Sequence, residues 1–286
     1  MLRVGDLEIY LLNDATCLLD GGGPFGLVPL TLWSRYIPPQ QLNLVSSHYI
    51  CLLVKTGNQI VLIDTGYGEH FPIKAMERLH MQRPQGDILV GLARLGIQPT
   101  AIDWVINTHL HADHVGGNMR QDSNNKWVPS FPNAQYVTQQ REYEDAMHPN
   151  ERTRATYDPN NYHPLVQSGQ MRLIEGDTEL LSGIHCVVTR GHTPAHMSIL
   201  FESKGESALF ACDMASYAVH FQKLGWMTAF DVEPLQTLES KRLWQEWAIR
   251  TQSPVLFPHD PLNAVARFSM EADGSVGLHP IPVPYV

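Results

Sequence analysis

Residues 108–114 read Thr108-His109-Leu110-His111-Ala112-Asp113-His114, directly after a strand-like run at 101–107 and just before Gly116-Gly117. Two residue types, imidazole and carboxylate, crowd into this segment, and such groups are not cheaply buried without a partner. His109 and His111 stand two apart, so in an extended segment they point to the same side and could grip one ion. Where the chain turns, Asp113 and His114 could face a second. Nitrogen and oxygen donors of this kind suit zinc, iron, cobalt or manganese.

Three further ligand candidates follow downstream, each where a strand-like run ends. His192 and His196 lie in Arg190-Gly191-His192-Thr193-Pro194-Ala195-His196, Asp213 follows the apolar run 208–212, and His259 follows 255–258. Any one alone would be an ordinary surface residue or a helix cap. Their common position at strand ends, where rigid scaffolds present functional groups, gives the set its weight.

Strand patterns at 7–16, 47–55, 59–64, 101–107, 184–189 and 255–257 alternate with helical spacing at 88–95, 141–147 and 235–250. Residues 197–202 and 207–211 read as a hairpin around Lys204-Gly205, and Gly96 is a natural stop for the first helix. The long helix starts after Pro234, a favoured first-turn residue, with Leu235, Leu238, Trp244, Trp247 and Ala248 expected to share much of one face. Residues 20–39, rich in Gly and Pro, read as a long loop. This alternation predicts one α/β domain over 1–286, with packed sheets and outer helices.

A hydrophobic fraction of 43% over 286 residues is enough for a well-buried core, and a net charge of −9 disfavours nucleic acid and anionic membranes as partners. The N-terminus lacks the apolar stretch of a secretory signal, and no apolar run approaches the roughly 18 residues of a membrane span, so a soluble cytoplasmic protein is expected. Cys17, Cys51, Cys186 and Cys212 lie far apart without a CxxC pair and read as reduced core residues.

Taken in order, His109-x-His111-x-Asp113-His114, Gly191-His192-Thr193-Pro194-x-His196, the Asp after an apolar strand and the late His resemble the metallo-β-lactamase superfamily. Leu62-Ile63-Asp64-Thr65-Gly66 matches its early Asp motif. The resemblance implies a four-layer αβ/βα sandwich holding two divalent metal ions per chain, zinc foremost, with iron, cobalt or manganese as alternatives. His109, His111 and His192 would hold one ion, Asp113, His114 and His259 the other, and Asp213 would bridge both. Asp64 would orient ligands. His196 would play a supporting part, with Ala195 standing where the family usually has Gly. Two cations about 3.5–4 Å apart can share a water, lower its pKa and turn it on a carbonyl or phosphoryl centre. Asp113 or a metal-bound water would then return a proton to the leaving oxygen.

A narrower resemblance concerns the substrate. Asp20-Gly21-Gly22-Gly23-Pro24-Phe25-Gly26-Leu27-Val28-Pro29 with Trp33 is similar to the N-terminal loop of quorum-quenching N-acyl homoserine lactonases and of the related organophosphate hydrolases. His148-Pro149-Asn150 with Arg152, and residues 226–231, fit the same group. This implies a neutral lactone or ester substrate, with phosphotriesters as the alternative. Phe25, Trp33, Phe221, Trp226 and Phe230 would line an acyl pocket, and Tyr217 or His220 would contact the lactone oxygen. A thioesterase would want a basic C-terminal helical domain, and a β-lactamase would want a cation, for which Lys223 is the candidate. A metal-stabilised binding protein is the non-enzymatic reading. The apolar loop 20–39 is a candidate homodimer contact.

Overall fold

Runs of aliphatic residues build two seven-stranded sheets. The structure, a computed structural model, describes residues 1–69 and 71–286. It divides into two compact units, one of Met1–Thr16, Tyr49–Gly176 and Pro284–Val286, the other of Cys17–His48 and Asp177–Val283.

The first sheet contains β1 (Leu2–Val4), β2 (Leu7–Asp20), β3 (Leu44–Lys55), β4 (Ile60–Ile63) and β5 (Trp104–Ile106). A separate hairpin, β6 (Met119–Gln121) and β7 (Trp127–Pro129), precedes β8 (Gln135–Gln139) and β9 (Met171–Ile174). The sheet order is β1-β2-β3-β4-β5-β8-β9, with β4, β5, β8 and β9 mutually parallel. Leu52, Leu53, Val54, Val61, Leu62 and Ile63 are all fully buried, so β3 and β4 read as continuous apolar runs rather than as alternation. The helix Ile88–Arg94 packs Ile88 and Leu92 with Leu53, Leu62 and Val105. Asp87 caps it by accepting from Val90 N at 3.0 Å. The pairing Ile63↔Ile106 brings the carboxyl ends of two parallel strands side by side, the usual place for a ligand in such sheets. Asp64 leaves one end, and residues 107–109 leave the other.

The second unit holds β10 (Thr178–Leu181), β11 (Ile184–Val188), β12 (Met197–Ser203), β13 (Glu206–Phe210), β14 (Val255–Leu256), β15 (Val265–Met270) and β16 (Val276–Pro280), hydrogen-bonded in that order. Strands β10 to β13 form an antiparallel meander. Lys204 and Gly205, both with positive φ, make the expected β12–β13 turn. β13 and β14 are parallel, and the connection between them carries the helix Pro234–Thr251, as a parallel crossover requires.

That helix packs Trp244, Trp247 and Ala248 of the expected face against the core, and it also buries a polar stripe that its apolar residues do not announce. Leu235 is 75% exposed, whereas Thr237, Lys241, Gln245 and Ala248 are buried. The reason is the surface it meets. Lys241 Nζ donates to the carbonyls of His220 (3.2 Å) and Trp226, and Gln245 Nε2 donates to those of Phe221 and Gln222. A helix facing loop carbonyls needs donors there, because buried carbonyls left unpaired cost free energy.

Residues 20–39 also depart from the expected loop. They contain two short helices, Gly22–Phe25 and Leu30–Trp33, whose Phe25 and Trp33 rings stack at 4.6 Å. These two, with Ile37, Val45, Tyr217 and Val219, form a small buried cluster, so Phe25 and Trp33 pack as core. Among the described residues no helix is long and apolar enough to cross a membrane.

Burial lowers the pKa of Lys241 to about 8. An unfolded lysine keeps its proton to about 10.4, so between these values the unfolded chain binds more protons and folding stability rises with pH. The urea midpoint of the wild type, relative to Lys241→Met, is expected to move upward between pH 8 and pH 10. A difference independent of pH would contradict a Lys241 pKa lowered by burial.

Candidate metal centre

The first unit contributes one set of candidate ligands. Asp64 follows β4 with φ of 58°, and its backbone N–H is held by Ile106 O at 2.9 Å. Its carboxylate accepts from Thr108 N (2.9 Å) and from Thr108 Oγ1 (2.8 Å to Oδ2), and its Oδ2 lies 2.9 Å from His114 Nδ1. Because a carboxylate only accepts, Thr108 spends its single hydroxyl proton on Asp64. The contact between Thr108 Oγ1 and His109 Nδ1 (3.2 Å) is then donated by the imidazole. In the neutral rings His109 and His114 therefore both carry their lone pair on Nε2, the assignment resting on the hydrogen-bond network. The His109 ring centroid lies 4.6 Å from that of His111 and 4.1 Å from that of His114. Asp113 Oδ2 is 3.5 Å from His114 Nε2, and its side chain is the most exposed carboxylate of the set. Thus His109, His111, Asp113 and His114 converge within this unit, with Asp64 behind them.

The two glycines after the cluster are sterically required. A Cβ on Gly116 would lie 2.3 Å from Tyr67 O, and one on Gly117 would lie 2.3 Å from Thr65 O. This close passage lets Thr65 N donate to His114 O at 2.7 Å.

The second unit contributes the other set. Asp213 lies beyond β13, after Cys212 with φ of 47°. Its Oδ2 is 3.2 Å from His192 Nε2, and its Oδ1 is 3.1 Å from His259 Nε2. The opposite nitrogens are committed, His192 Nδ1 to Asp231 Oδ1 (2.9 Å) and His259 Nδ1 to the carbonyl of His48 (2.7 Å). A carbonyl cannot donate, so His259 Nδ1 holds a proton and the neutral ring turns the Nε2 lone pair toward Asp213; Asp231 places His192 likewise. Two lone pairs facing a carboxylate repel unless positive charge lies among them. The donor set therefore fits a cation, and imidazole nitrogen with carboxylate oxygen is the chemistry of a first-row divalent metal.

His196 stands behind Asp213 in a hydrogen-bond chain whose direction is determined. Ser198 Oγ donates to Ala211 O (2.8 Å), so Thr189 Oγ1 donates to Ser198 and His196 Nδ1 donates to Thr189, both at 2.9 Å. His196 Nε2 then accepts from Asp213 N at 3.1 Å. Gly191, with φ of 145°, lets His192 follow the strand end, because a Cβ there would lie 2.3 Å from Thr237 N.

The remaining sequence candidates all lie in the second unit. The Tyr217 hydroxyl donates to Ser46 O at 3.2 Å, and burial pushes its pKa up. His220 is buried with its ring edge-on to Phe25 and Tyr217, and burial, helped by the Lys241 charge, holds its pKa well below the usual imidazole value. Phe221 packs with Phe257 and Phe268 in a separate cluster. Trp226 is half-buried against Phe25, and Phe230 is 48% exposed over Gly23. Asp231 closes the stretch 226–231, whose sequence alone does not mark it as a partner of His192. It lies 39 residues from the histidine it orients, braced by Thr228 Oγ1 at 2.8 Å, and no local pattern announces such a partner.

The profile described as the metallo-beta-lactamase superfamily matches residues 49–243. This chain belongs to the metallo-β-lactamase superfamily. It is 29% identical over 264 residues to an N-acyl homoserine lactonase of Bacillus cereus, covering 88% of this chain and 93% of that enzyme. A solved structure of a probable metal-dependent hydrolase from Staphylococcus aureus is 28% identical, with a TM-score of 0.88 over 99% of this chain and 100% of that one. AidC, a dizinc quorum-quenching lactonase solved with a product, is 18% identical with a TM-score of 0.78 over 99% of this chain and 97% of that one, a likeness of fold. The expected α/β metallo-β-lactamase fold holds, and the chain is a hydrolase of this superfamily.

Removing the carboxylate that orients a metal-binding histidine typically costs 10–100-fold in metal affinity. Asp231→Ala is expected to lose metal to a chelator at a concentration about tenfold or more lower than the wild type. Equal retention would remove Asp231 from the support of His192.

Proposed function

We propose that this chain hydrolyses neutral lactones or esters, N-acyl homoserine lactones foremost, using two divalent cations held by the histidine and aspartate sets. The observation that carries the reading is Asp213, whose two oxygens each face the lone-pair nitrogen of a histidine fixed from behind. In this reading His109, His111 and His192 hold one ion, Asp113, His114 and His259 hold the other, and Asp213 serves both. Residues 1–286 act together as one hydrolase domain, in the cytoplasm, where the four buried cysteine thiols would stay reduced. Zinc suits the donors best, and iron, cobalt or manganese would use the same groups. The activity named for the Bacillus cereus relative supports the substrate class.

Bound there, the cations would supply Lewis acidity, lowering the pKa of a water and offsetting the charge that builds on the carbonyl oxygen. The chain's own residues have three tasks. Asp64 and Asp231 fix the rings of His114 and His192 so that Nε2 faces inward. Asp113, partly exposed, accepts a proton from the attacking water. The new bond joins the water oxygen to the carbonyl carbon and the bond to the ring oxygen breaks, so Asp113 returns the proton to the departing alkoxide. Trp226 and Phe230 offer apolar faces to an acyl chain, with Phe25 and Trp33 behind them. Tyr217 braces this wall from a hydroxyl committed to Ser46.

A pH-indicator assay over N-acyl homoserine lactones of graded chain length, a paraoxon-type phosphotriester, a thioester and a β-lactam tests the reading. Lactones are expected to turn over, with Asp213→Ala slower by about 10²-fold or more, the scale of a lost oxyanion stabiliser. Inert lactones beside another active class would overturn the substrate. Bound metal without turnover on any of them would make the chain a binding protein.

Tyr217→Phe separates two parts for that residue. With the hydroxyl held by Ser46, kcat is expected to change less than about tenfold, because one neutral hydrogen bond is worth about 1 kcal/mol. A fall of about 100-fold in kcat at unchanged KM would instead put the hydroxyl on the substrate, the scale of a hydrogen bond made only in the transition state.

A further inference from the structure

Thr108 sets the ring of His109, Asp64 that of His114, Asp231 that of His192, and the carbonyl of His48 that of His259. His111 lies in the first unit beside a buried carboxylate that no step of the hydrolysis uses. Glu142 stands in the first turn of the helix Gln140–Met147 and is fully buried. A glutamate at this point of a helix usually serves the N–H groups of its own first turn. Here Oε1 is turned to two other segments. It accepts from Leu110 N at 3.0 Å and from the Tyr157 hydroxyl at 3.3 Å.

Both donors bear on His111. Leu110 stands between His109 and His111, so its N–H fixes the backbone that carries the two rings. Tyr157 reaches His111 twice. Its backbone bridges that of His111, next to a bond from Ala112 N to Thr156 O at 2.8 Å. Its ring lies 5.0 Å from the imidazole at an interplanar angle of 55°. The strand order explains the meeting. β5 and β8 run parallel side by side, so the loop after Ile106 and the helix after Gln139 leave the same edge of the sheet. Asn150 then turns the chain ahead of Thr156 and Tyr157, its Oδ1 accepting from Arg152 N (2.9 Å) and Thr153 N (3.2 Å).

We propose that Glu142 is the positioning residue for His111: one buried carboxylate oxygen ties the Leu110 N–H to the Tyr157 hydroxyl and so holds the His111 imidazole where it meets an ion. This role rests on the reading of His109 and His111 as metal ligands. It is geometric. Oε1 must reach both donors at once, so the length of the side chain matters, and an uncharged oxygen in the same place serves. A carboxylate acting by its charge has the opposite dependence, because a buried field falls slowly with distance whereas a hydrogen bond is lost over a short one.

The test uses the full chain loaded with cobalt, which takes the same donors as zinc and reports its ligand geometry in visible absorption. Cobalt retention is measured against a graded chelator, beside the thermal midpoint of the metal-free chain. Glu142→Asp keeps the charge and withdraws the oxygen, whereas Glu142→Gln keeps the reach and removes the charge. Glu142→Asp is expected to lose one cobalt, with altered bands, at a chelator concentration about tenfold or more lower than the wild type, the scale for groups that orient metal-binding histidines. Glu142→Gln is expected to keep both ions and the wild-type bands. Tyr157→Phe leaves the ring against His111 and removes one of the two bonds, and its loss is expected to fall between these variants. Wild-type retention in Glu142→Asp overturns the proposal, and a lower metal-free midpoint beside it would leave Glu142 serving the fold alone. Loss in Glu142→Gln overturns it too, by putting the effect in the charge. His111→Ala separates this failure from failure of the ligand reading. If it keeps both ions, His111 is no ligand and both fall. If it loses one while Glu142→Asp loses none, the positioning role alone falls. Turnover enters none of these readouts.

Discussion

A carboxylate caught between the lone pairs of two imidazoles needs positive charge, and Asp213 is held in that position by everything around it. The rings of His192 and His259 cannot turn away, because their other nitrogens are tied to Asp231 and to the His48 carbonyl. Asp213 cannot retreat, because its backbone N–H is gripped by His196, itself fixed through Thr189 and Ser198. Each link is an ordinary hydrogen bond of about 1 kcal/mol, but together they specify one arrangement. The same device recurs at Asp64, which fixes Thr108 and His114 in the first unit. Asp64 and Cys212 are both non-glycine residues with positive φ at strand exits. Such backbone costs on the order of 1 kcal/mol and persists where surrounding contacts demand it.

Buried charge elsewhere follows the same rule of being answered by polar groups. Lys241 serves loop carbonyls, and Asp260 accepts from Ala218, Leu262 and Asn263 N–H groups even as burial raises its pKa. These contacts hold residues 218–226, the segment that carries Tyr217's neighbours and Trp226. The segment that carries Trp226 is thus positioned from beneath by a polar helix face.

Much of this was readable in the sequence because it is local. The cluster at 109–114 is a matter of spacing, the strand exits at 64, 192, 213 and 259 follow apolar runs, and the turn at Lys204-Gly205 needs only its own residues. What could not be read depends on distant partners. Asp231 finds His192 across 39 positions, and Lys241 is buried because carbonyls from another segment lie opposite. Apolar counting finds Trp244, Trp247 and Ala248 but misses the buried polar stripe of the long helix for that reason. The helices within 20–39 were hidden by Gly and Pro, whose loop signal outweighed the packing of Phe25 and Trp33. Strands β15 and β16 carry patterns too weak to stand out without their neighbours.

The glycine pair at 116 and 117 sets a boundary for anyone who would redesign this enzyme. Main chain passes so near main chain there that no side chain of any size fits, whatever is changed nearby. Laboratory evolution of new selectivity therefore has little to gain from randomising this stretch, and libraries are better spent on positions such as 226 and 230, where side chains already reach solvent.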